Sequence, residues 1–526
     1  MSTTVKISKK AVNLSSMLSG TVSMSISAVI VKIIGVVYKI PLAAILGDAG
    51  MGYFNSAYTV YGLFYILCSA GVPKAVTILI SRAKAEGREF EESRIVRVAT
   101  KAYFALGVIL TVLLIAIAKP MSTLIGNSES FATIVAVAPS IVFISIAGVI
   151  RGALGARLQF GTIATSQIIE GVGKLAIGLV FANVAARRGA PLPIISCMTI
   201  LGVTFGSAFG LLYMIICYKS NKFRVKSKQK LQKSTCTALE IFKISLPVTL
   251  SAAVMGITNL IDLGVVMRRL SEAGYSVLEA NSLYGNYTTA AVPVFNLVLA
   301  VITPISVAFL PFISKAHSSK NLLAVKTVSK NAILLSNFLA IPSALGMTLF
   351  SSEFMLLVFK DMNGSVGAAL ITALMPAVLF MSPLLIINTM LEACGAVRCP
   401  MISMLVGGVV KLVLSHALVG DELGILGAPI STIVSYFVSL LVSVIMLKIK
   451  CGYIVLDAFA FIVPLMNSII TLIPIKILSA KLIPAFGDAP GFIFAVVLSV
   501  VFYMIFSVLT GVISSKRMQE IATYTK

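Results

Sequence analysis

Seven lysines fall inside or at the edge of long apolar stretches of this 526-residue chain: Lys32, Lys39, Lys74, Lys174, Lys243, Lys411 and Lys476. An ammonium group near the middle of a lipid bilayer costs about 2.5–3.5 kcal/mol on insertion scales, so such groups face a partner or enclosed water. Ser25, Ala28, Lys32, Gly35 and Lys39 recur at helical spacing, which places two cations and three small residues on one helix face. Lys39 also stands close to Pro41 near a helix end, where snorkelling to the interface is the alternative. Further on, Asn55, Tyr58, Gly62 and Ser69 share a face that ends at Pro73-Lys74, and Lys74 is there either a substrate contact or an interfacial anchor. Gln167, Glu170 and Lys174 follow at i, i+3 and i+7, with Glu170 and Lys174 spaced to neutralise one another or to form a proton or ion site.

Asn259 and Asp262 share one face of a later stretch. Asp262 is the best single carboxylate for charge balance or ion coupling, and its alternative role is a salt bridge to a lysine of the first stretch. Lys411 lies near His416, which reads more readily as a hydrogen-bonded packing histidine than as a switch. Taken as a cavity lining, Lys32, Lys39, Asn55, Lys74, Glu170, Lys174, Asn259, Asp262 and Lys411 carry five cations against two carboxylates. Such a cavity prefers an anion. A polyanionic head group such as a lipid-linked diphosphate suits several flexible point-charge donors, whereas selection of cationic drugs calls for an excess of carboxylates.

The elements that must hold these residues are membrane spans. The chain is 58% hydrophobic and 12% charged, far from the balance of a water-soluble domain. Fourteen apolar runs, from 19–46 to 490–514, are long enough to cross a bilayer. They are continuous rather than alternating, so they read as helices and not as barrel strands. With the N-terminus inside, Lys and Arg of inner loops outnumber those of outer loops by about four to one, which puts both termini in the cytoplasm. That bias accounts for the net charge of +23 without nucleic acid. The seven cysteines are odd in number and scattered, offering neither a disulfide framework nor zinc-ligand spacing. Lys6, Lys9 and Lys10 precede a run too long for a secretory signal and without a cleavage site, so the first run is expected to stay in the membrane.

A return of motifs divides the chain. Tyr53, Asn55 and Pro73 recur as Tyr284, Asn286 and Pro304 at one offset, and Gly155-Ala156 and Lys174 recur as Gly395-Ala396 and Lys411. Six runs precede each return, so the repeats are parallel and a site is expected between them near mid-membrane. The expected fold class is all-α: a polytopic membrane protein of 14 transmembrane helices, two parallel six-helix lobes plus two C-terminal helices. The expected parts are a cytoplasmic tail (1–18), a first lobe (19–217), a basic linker (218–239), a second lobe (240–450), and two final spans with a short tail (451–526). Between Lys219 and Lys233 the linker holds seven cations and no acid, which marks a tether on the cytoplasmic side or a contact with anionic lipid. No GxxxxGK[ST], HExxH or GxSxG motif occurs, so no enzyme, cofactor or metal is expected. Nor is there a soluble stretch long enough for an ATP-hydrolysing domain, and transport would draw on a gradient, with Na+ or H+ both open as coupling ions.

The pattern KIIGVVYKIPLAAILGDAGMGYFNSAY (32–58), SAGVPKAV (69–76), SQIIEGVGK (166–174), LIDLGVVMRRL (260–270) and LYGNY (283–287) resembles the stage V sporulation protein B-like polysaccharide transporters. These belong to the multidrug/oligosaccharidyl-lipid/polysaccharide flippase superfamily, which also holds the lipid II flippase MurJ and the multidrug extruders. The resemblance covers nearly the whole chain. It implies a lipid-linked sugar flippase of the bacterial cytoplasmic membrane, serving wall, spore-cortex or polysaccharide synthesis by alternating access, with the last two helices forming a groove for the lipid tail. It further implies that Lys32 and Lys39 stand where basic residues face the central cavity, as lysines where arginine is expected, without a bidentate grip on diphosphate. The partners implied are a lipid-linked sugar diphosphate, membrane lipid and wall glycosyltransferases, with the chain itself a monomer. The competing readings are a cation-coupled drug exporter working through Asp262 or Glu170, and a membrane scaffold for wall assembly that transports nothing.

Overall fold

The computed structural model describes residues 14–86, 88, 91–157, 159–220, 234–318, 321–396, 398–420, 422–455 and 457–512. The linker residues 221–233, most of the expected N-terminal tail and residues 513–526 lie outside them, as does the Lys32 side chain. Among the described residues the regular structure is helical. The first half holds α1 (Leu14–Ser69), α2 (Val72–Ala85), α3 (Glu92–Leu124), α4 (Phe131–Val137), α5 (Ser140–Ala156), α6 (Phe160–Arg187) and α7 (Leu192–Ser220). The second holds α8 (Ser234–Glu272), α9 (Val277–Asn286), α10 (Val292–Ser318), α11 (Leu322–Leu349), α12 (Ser351–Val358), α13 (Gly364–Leu374), α14 (Ala377–Ala393), α15 (Arg398–Leu418) and α16 (Gly427–Cys451). Two further helices follow, α17 (Phe459–Phe486) and α18 (Asp488–Leu509).

Ten helical stretches among the described residues are long and apolar enough to cross a membrane, or twelve if two bent pairs each count as one span. The expected first and seventh spans, 19–46 and 240–267, fall on α1 and α8, parts of which lie outside the described side chains, so fourteen remains the count of the sequence alone. Ile109, Leu212, Ile477 and Leu509 are each more than half exposed, as hydrocarbon-facing side chains must be. The two bent pairs are α4 with α5 (42°) and α13 with α14 (41°), and each bend falls at a proline, Pro139 and Pro376. A proline-broken helix at the same place in each half is a structural counterpart of the sequence return.

Within α1, Gly47 leaves the helical region at φ 60° and ψ −174°. The Lys39 Nζ atom lies 3.3 Å from Oδ1 of Asn55. Sixteen residues of straight helix would hold them about 24 Å apart. With Gly47 midway between them, the chain must double back there, and α1 is a helical hairpin. A left-handed turn of this kind is cheap for glycine and strained for any other residue.

The polar side chains on α6 are brought inward by small residues. Gly202, Gly206 and Gly210 form a ladder on α7, and a Cβ at Gly206 would lie 2.6 Å from the Glu170 carbonyl oxygen and 2.7 Å from Lys174 Cγ. Backbones can approach this closely only where nothing projects between them. In the second half, Gly407 of α15 is packed the same way against Ser435 and Ser439 of α16.

The two halves touch at both ends of the helices, and one large buried core, with Phe54, Tyr61, Leu263 and Tyr284 among its members, runs across both. At the Gly47 end, Asp48 accepts the backbone N–H of Asn363 (3.0 Å) and the hydroxyl of Ser282 (3.3 Å). Asn127 donates to Asn281 (2.8 Å) and to Ser56 (3.0 Å), all three buried. At the other end Gly71 packs against Ser245 and Thr249, and the Tyr103 and Ser245 hydroxyls are 2.7 Å apart. An exposed pair there, Arg82 with Glu240 at 3.1 Å, adds little.

The Gly47 end depends on backbone contact: a Cβ at Gly285 would sit 2.0 Å from the Asp48 carbonyl oxygen, and one at Gly52 would sit 2.2 Å from that of Asn281. Overpacking of this kind costs roughly 1–3 kcal/mol. Gly285→Ala is therefore expected to disfavour closure at this end by about ten- to hundredfold. A cysteine placed at Ser56, fully buried at this junction, should then react with an aqueous thiol reagent from the Gly47 side in the variant and resist it in the parent.

Candidate functional site

A cavity of about 540 Å³ opens against the hairpin of α1, walled by α5, α6 and α7. Among the described residues its charged lining is Lys39, Arg151, Glu170 and Lys174, three cations and one carboxylate. Glu170 receives both neighbours: Lys174 Nζ lies 2.7 Å from Oε1 and an Arg151 guanidinium nitrogen 2.9 Å from Oε2. The helical spacing of Glu170 and Lys174 made that pair, while Arg151 comes across from α5.

Lys39 is held differently. Its ammonium donates to the carbonyl of Thr288 (2.7 Å) and to Oδ1 of Asn55 (3.3 Å), both neutral acceptors. The Thr288 carbonyl is free for a reason written in the chain. Residues Tyr287–Ala291 form a π-turn between α9 and α10, in which Val292 N–H bonds to the Tyr287 carbonyl. The next carbonyl, that of Thr288, would require an N–H from residue 293, which is Pro293. The lysine ammonium satisfies what the proline cannot. Asn55 completes the link by donating to Thr289 Oγ1 (2.8 Å), so two residues of α1 hold the π-turn of the other half.

The remaining expected residues lie elsewhere. Lys411, mostly covered, pairs with the buried Asp262 at 2.8 Å, joining α15 to α8. Ser415 donates to the same carboxylate (3.1 Å) and meets Ser431 (2.8 Å). The partner of Asp262 is thus a lysine of its own half and not one from the first run. Neither member of the pair lines the cavity. Lys74 and Asn259 are exposed and do not line it either, and the Lys32 side chain lies outside the described residues. Sequence reasoning missed Arg151, which looked like a loop cation because the apolar run seemed to end at 150. Helix α5 in fact continues to Ala156. It also missed Thr288, whose only signal was a proline five residues downstream.

A second, apolar groove of about 390 Å³ runs between α10, α11, α17 and α18, lined by Leu297, Val301, Phe338, Phe350 and Tyr503 among others. Near it, Lys476 pairs with Glu353, its ammonium 5.0 Å from the centre of the Phe350 ring. That contact accounts for one further intramembrane lysine.

The described residues thus form two half-bundles that meet at both ends, with two helices appended, and the cation-lined cavity is walled by the first half rather than lying between the two as the repeat led one to expect. This architecture is shared with solved transporters of the multidrug/oligosaccharidyl-lipid/polysaccharide (MOP) superfamily. The solved structure of lipid II flippase MurJ in an inward closed conformation superposes with a TM-score of 0.72 at 18% identity, over 93% of this chain and 98% of that one. An inward-facing multidrug resistance MATE family transporter of the MOP superfamily superposes at 0.68 and 13% identity, over 81% and 98%. The chain belongs to the polysaccharide biosynthesis protein family, whose model matches residues 17–317, and the MatE model matches 287–416. Among curated relatives, stage V sporulation protein B of Bacillus subtilis (strain 168) is 26% identical over 425 residues, 79% of this chain and 80% of the relative. Lipid II flippase MurJ of the same organism is 22% identical over 459 residues, 84% of each.

Proposed function

We propose that the chain is a flippase for a lipid-linked sugar diphosphate, lipid II or a related polysaccharide precursor, in the bacterial cytoplasmic membrane with both termini inside. The observation that carries this reading is the charge of the cavity. Among the described residues three cations face one carboxylate there, and the Lys39 ammonium is held by neutral acceptors that a phosphate outcompetes. Family membership and the names of the relatives support the same substrate class.

The proposed cycle uses the two end contacts alternately. With Asp48, Asn127 and Asn281 joined, the outer end is shut, and parting of Gly71 from Ser245 admits a head group from the cytoplasmic leaflet. Reversing the two contacts releases it outside. The lipid chain would remain in hydrocarbon, with the α17–α18 groove as its proposed apolar track. A cation-coupled drug exporter is the weaker reading, because each of its carboxylates is already taken: Glu170 by Arg151 and Lys174, Asp262 by Lys411.

The test is reconstitution in liposomes with a fluorescent short-chain prenyl-diphospho-sugar, scored by exposure to a membrane-impermeant quencher. Wild type is expected to equalise the probe across the bilayer. Failure to move any prenyl-diphospho-sugar would end this reading.

A further inference from the structure

We propose that Tyr58, with Tyr65 beyond it, forms a carbohydrate platform within the cavity that recognises the first pyranose ring of the cargo, separately from the cations that hold its diphosphate. This rests on the flippase reading above and names the part of the head group that the charges leave unrecognised.

Phe54, Tyr58, Tyr61 and Tyr65 form an aromatic ladder on one face of the α1 hairpin, with successive ring centres 6.0, 5.4 and 5.9 Å apart. All four line the cavity. Phe54 and Tyr61 are buried and act as backing, whereas Tyr58 is 41% exposed. A wet aromatic face beside charges has a specific complement. A pyranose presents axial C–H bonds on one face, which pack on an aromatic ring, and hydroxyls around its rim, which need both donors and acceptors.

The rim groups are present. Gln167 lines the cavity with an amide that both donates and accepts. Arg151 has a buried Nε atom without a hydrogen-bond partner, although its terminal nitrogen is occupied by Glu170. A buried unsatisfied donor is costly, and a hydroxyl oxygen would satisfy it. The cavity volume of about 540 Å³ falls in the range that encloses drug-sized molecules, more than a bare diphosphate requires. An acyl or prenyl chain is the poorer occupant of the ladder. It would lie against Arg151, Glu170 and Lys174, while an apolar groove stands ready elsewhere.

The chain has no tryptophan, which gives the test a clean signal. In full-length protein in nanodiscs, a Tyr58→Trp variant should be quenched by farnesyl-diphospho-N-acetylglucosamine and unaffected by farnesyl diphosphate. For affinity, Tyr58→Ala should weaken the sugar-bearing probe by about tenfold and change the sugar-free probe by less than about twofold, as loss of one stacking contact implies. Tyr58→Phe, which keeps the ring, should match wild type, and Lys39→Ala should weaken both probes. Equal effects of Tyr58→Ala on the two probes, or none on either, would overturn the platform while leaving the flippase reading intact. Wild type that binds neither probe would instead remove the reading beneath it.

Discussion

Lys39→Met is expected to reduce translocation of a prenyl-diphospho-sugar by roughly a hundredfold, the equivalent of losing one or two charge-assisted hydrogen bonds of about 1.5–3 kcal/mol each. The side chain keeps most of its length and loses its donors, so the Thr288 carbonyl is left bare while little volume is lost. Two defects follow from one atom. The cavity loses the cation held by neutral groups, and the junction between α1 and the π-turn loses one of its two tethers. Asn55→Ala removes the other tether and leaves the cation. It should therefore impair closure at the Gly47 end, read by thiol accessibility, more than it impairs probe binding. If Lys39→Met bound and moved the probe as wild type does, the anion site would have to lie elsewhere.

Asp262→Asn should be the most destabilising of the single changes considered, by about 3–5 kcal/mol, because it strands the Lys411 ammonium among buried aromatic and hydroxyl groups. The expected readout is a large fall in the amount of monodisperse protein in detergent and in its thermal midpoint. Adding Lys411→Met to Asp262→Asn should restore most of that loss, since replacing both members of a buried ion pair by neutral groups is often tolerated. The double variant also separates structure from coupling. If the pair only braces α8 against α15, transport survives in the restored protein. Loss of transport with stability recovered would show that the carboxylate takes part in the cycle.

These residues also show where reading the chain succeeds and where it stops. Glu170 and Lys174 were legible because they sit one helical turn apart, and helical geometry alone brings them within 2.7 Å. Asp262 was legible as a carboxylate in need of a partner but not as the partner of Lys411, because that contact depends on how α8 and α15 cross. Arg151 was hidden because the apolar run ends at 150 while the helix runs on to Ala156. Lys74 and Asn259 share the residue types and spacing of site residues yet are exposed, since periodicity fixes which residues share a face but not what that face meets. The membrane class, the helical architecture and the family resemblance were all carried by composition and local motif. The junction at the Gly47 end was not, because Gly52, Asn281, Gly285 and Asp48 meet only through tertiary packing.

The bond from Lys39 to the Thr288 carbonyl has a consequence for the cell. One ammonium cannot fully serve a backbone oxygen of the opposite half and a cargo phosphate at the same time. In the proposed cycle an idle copy therefore keeps its own seal engaged, and arriving cargo is what loosens it. On the proposed function, such a carrier sits in an energised bilayer without short-circuiting the ion gradients that the cell maintains.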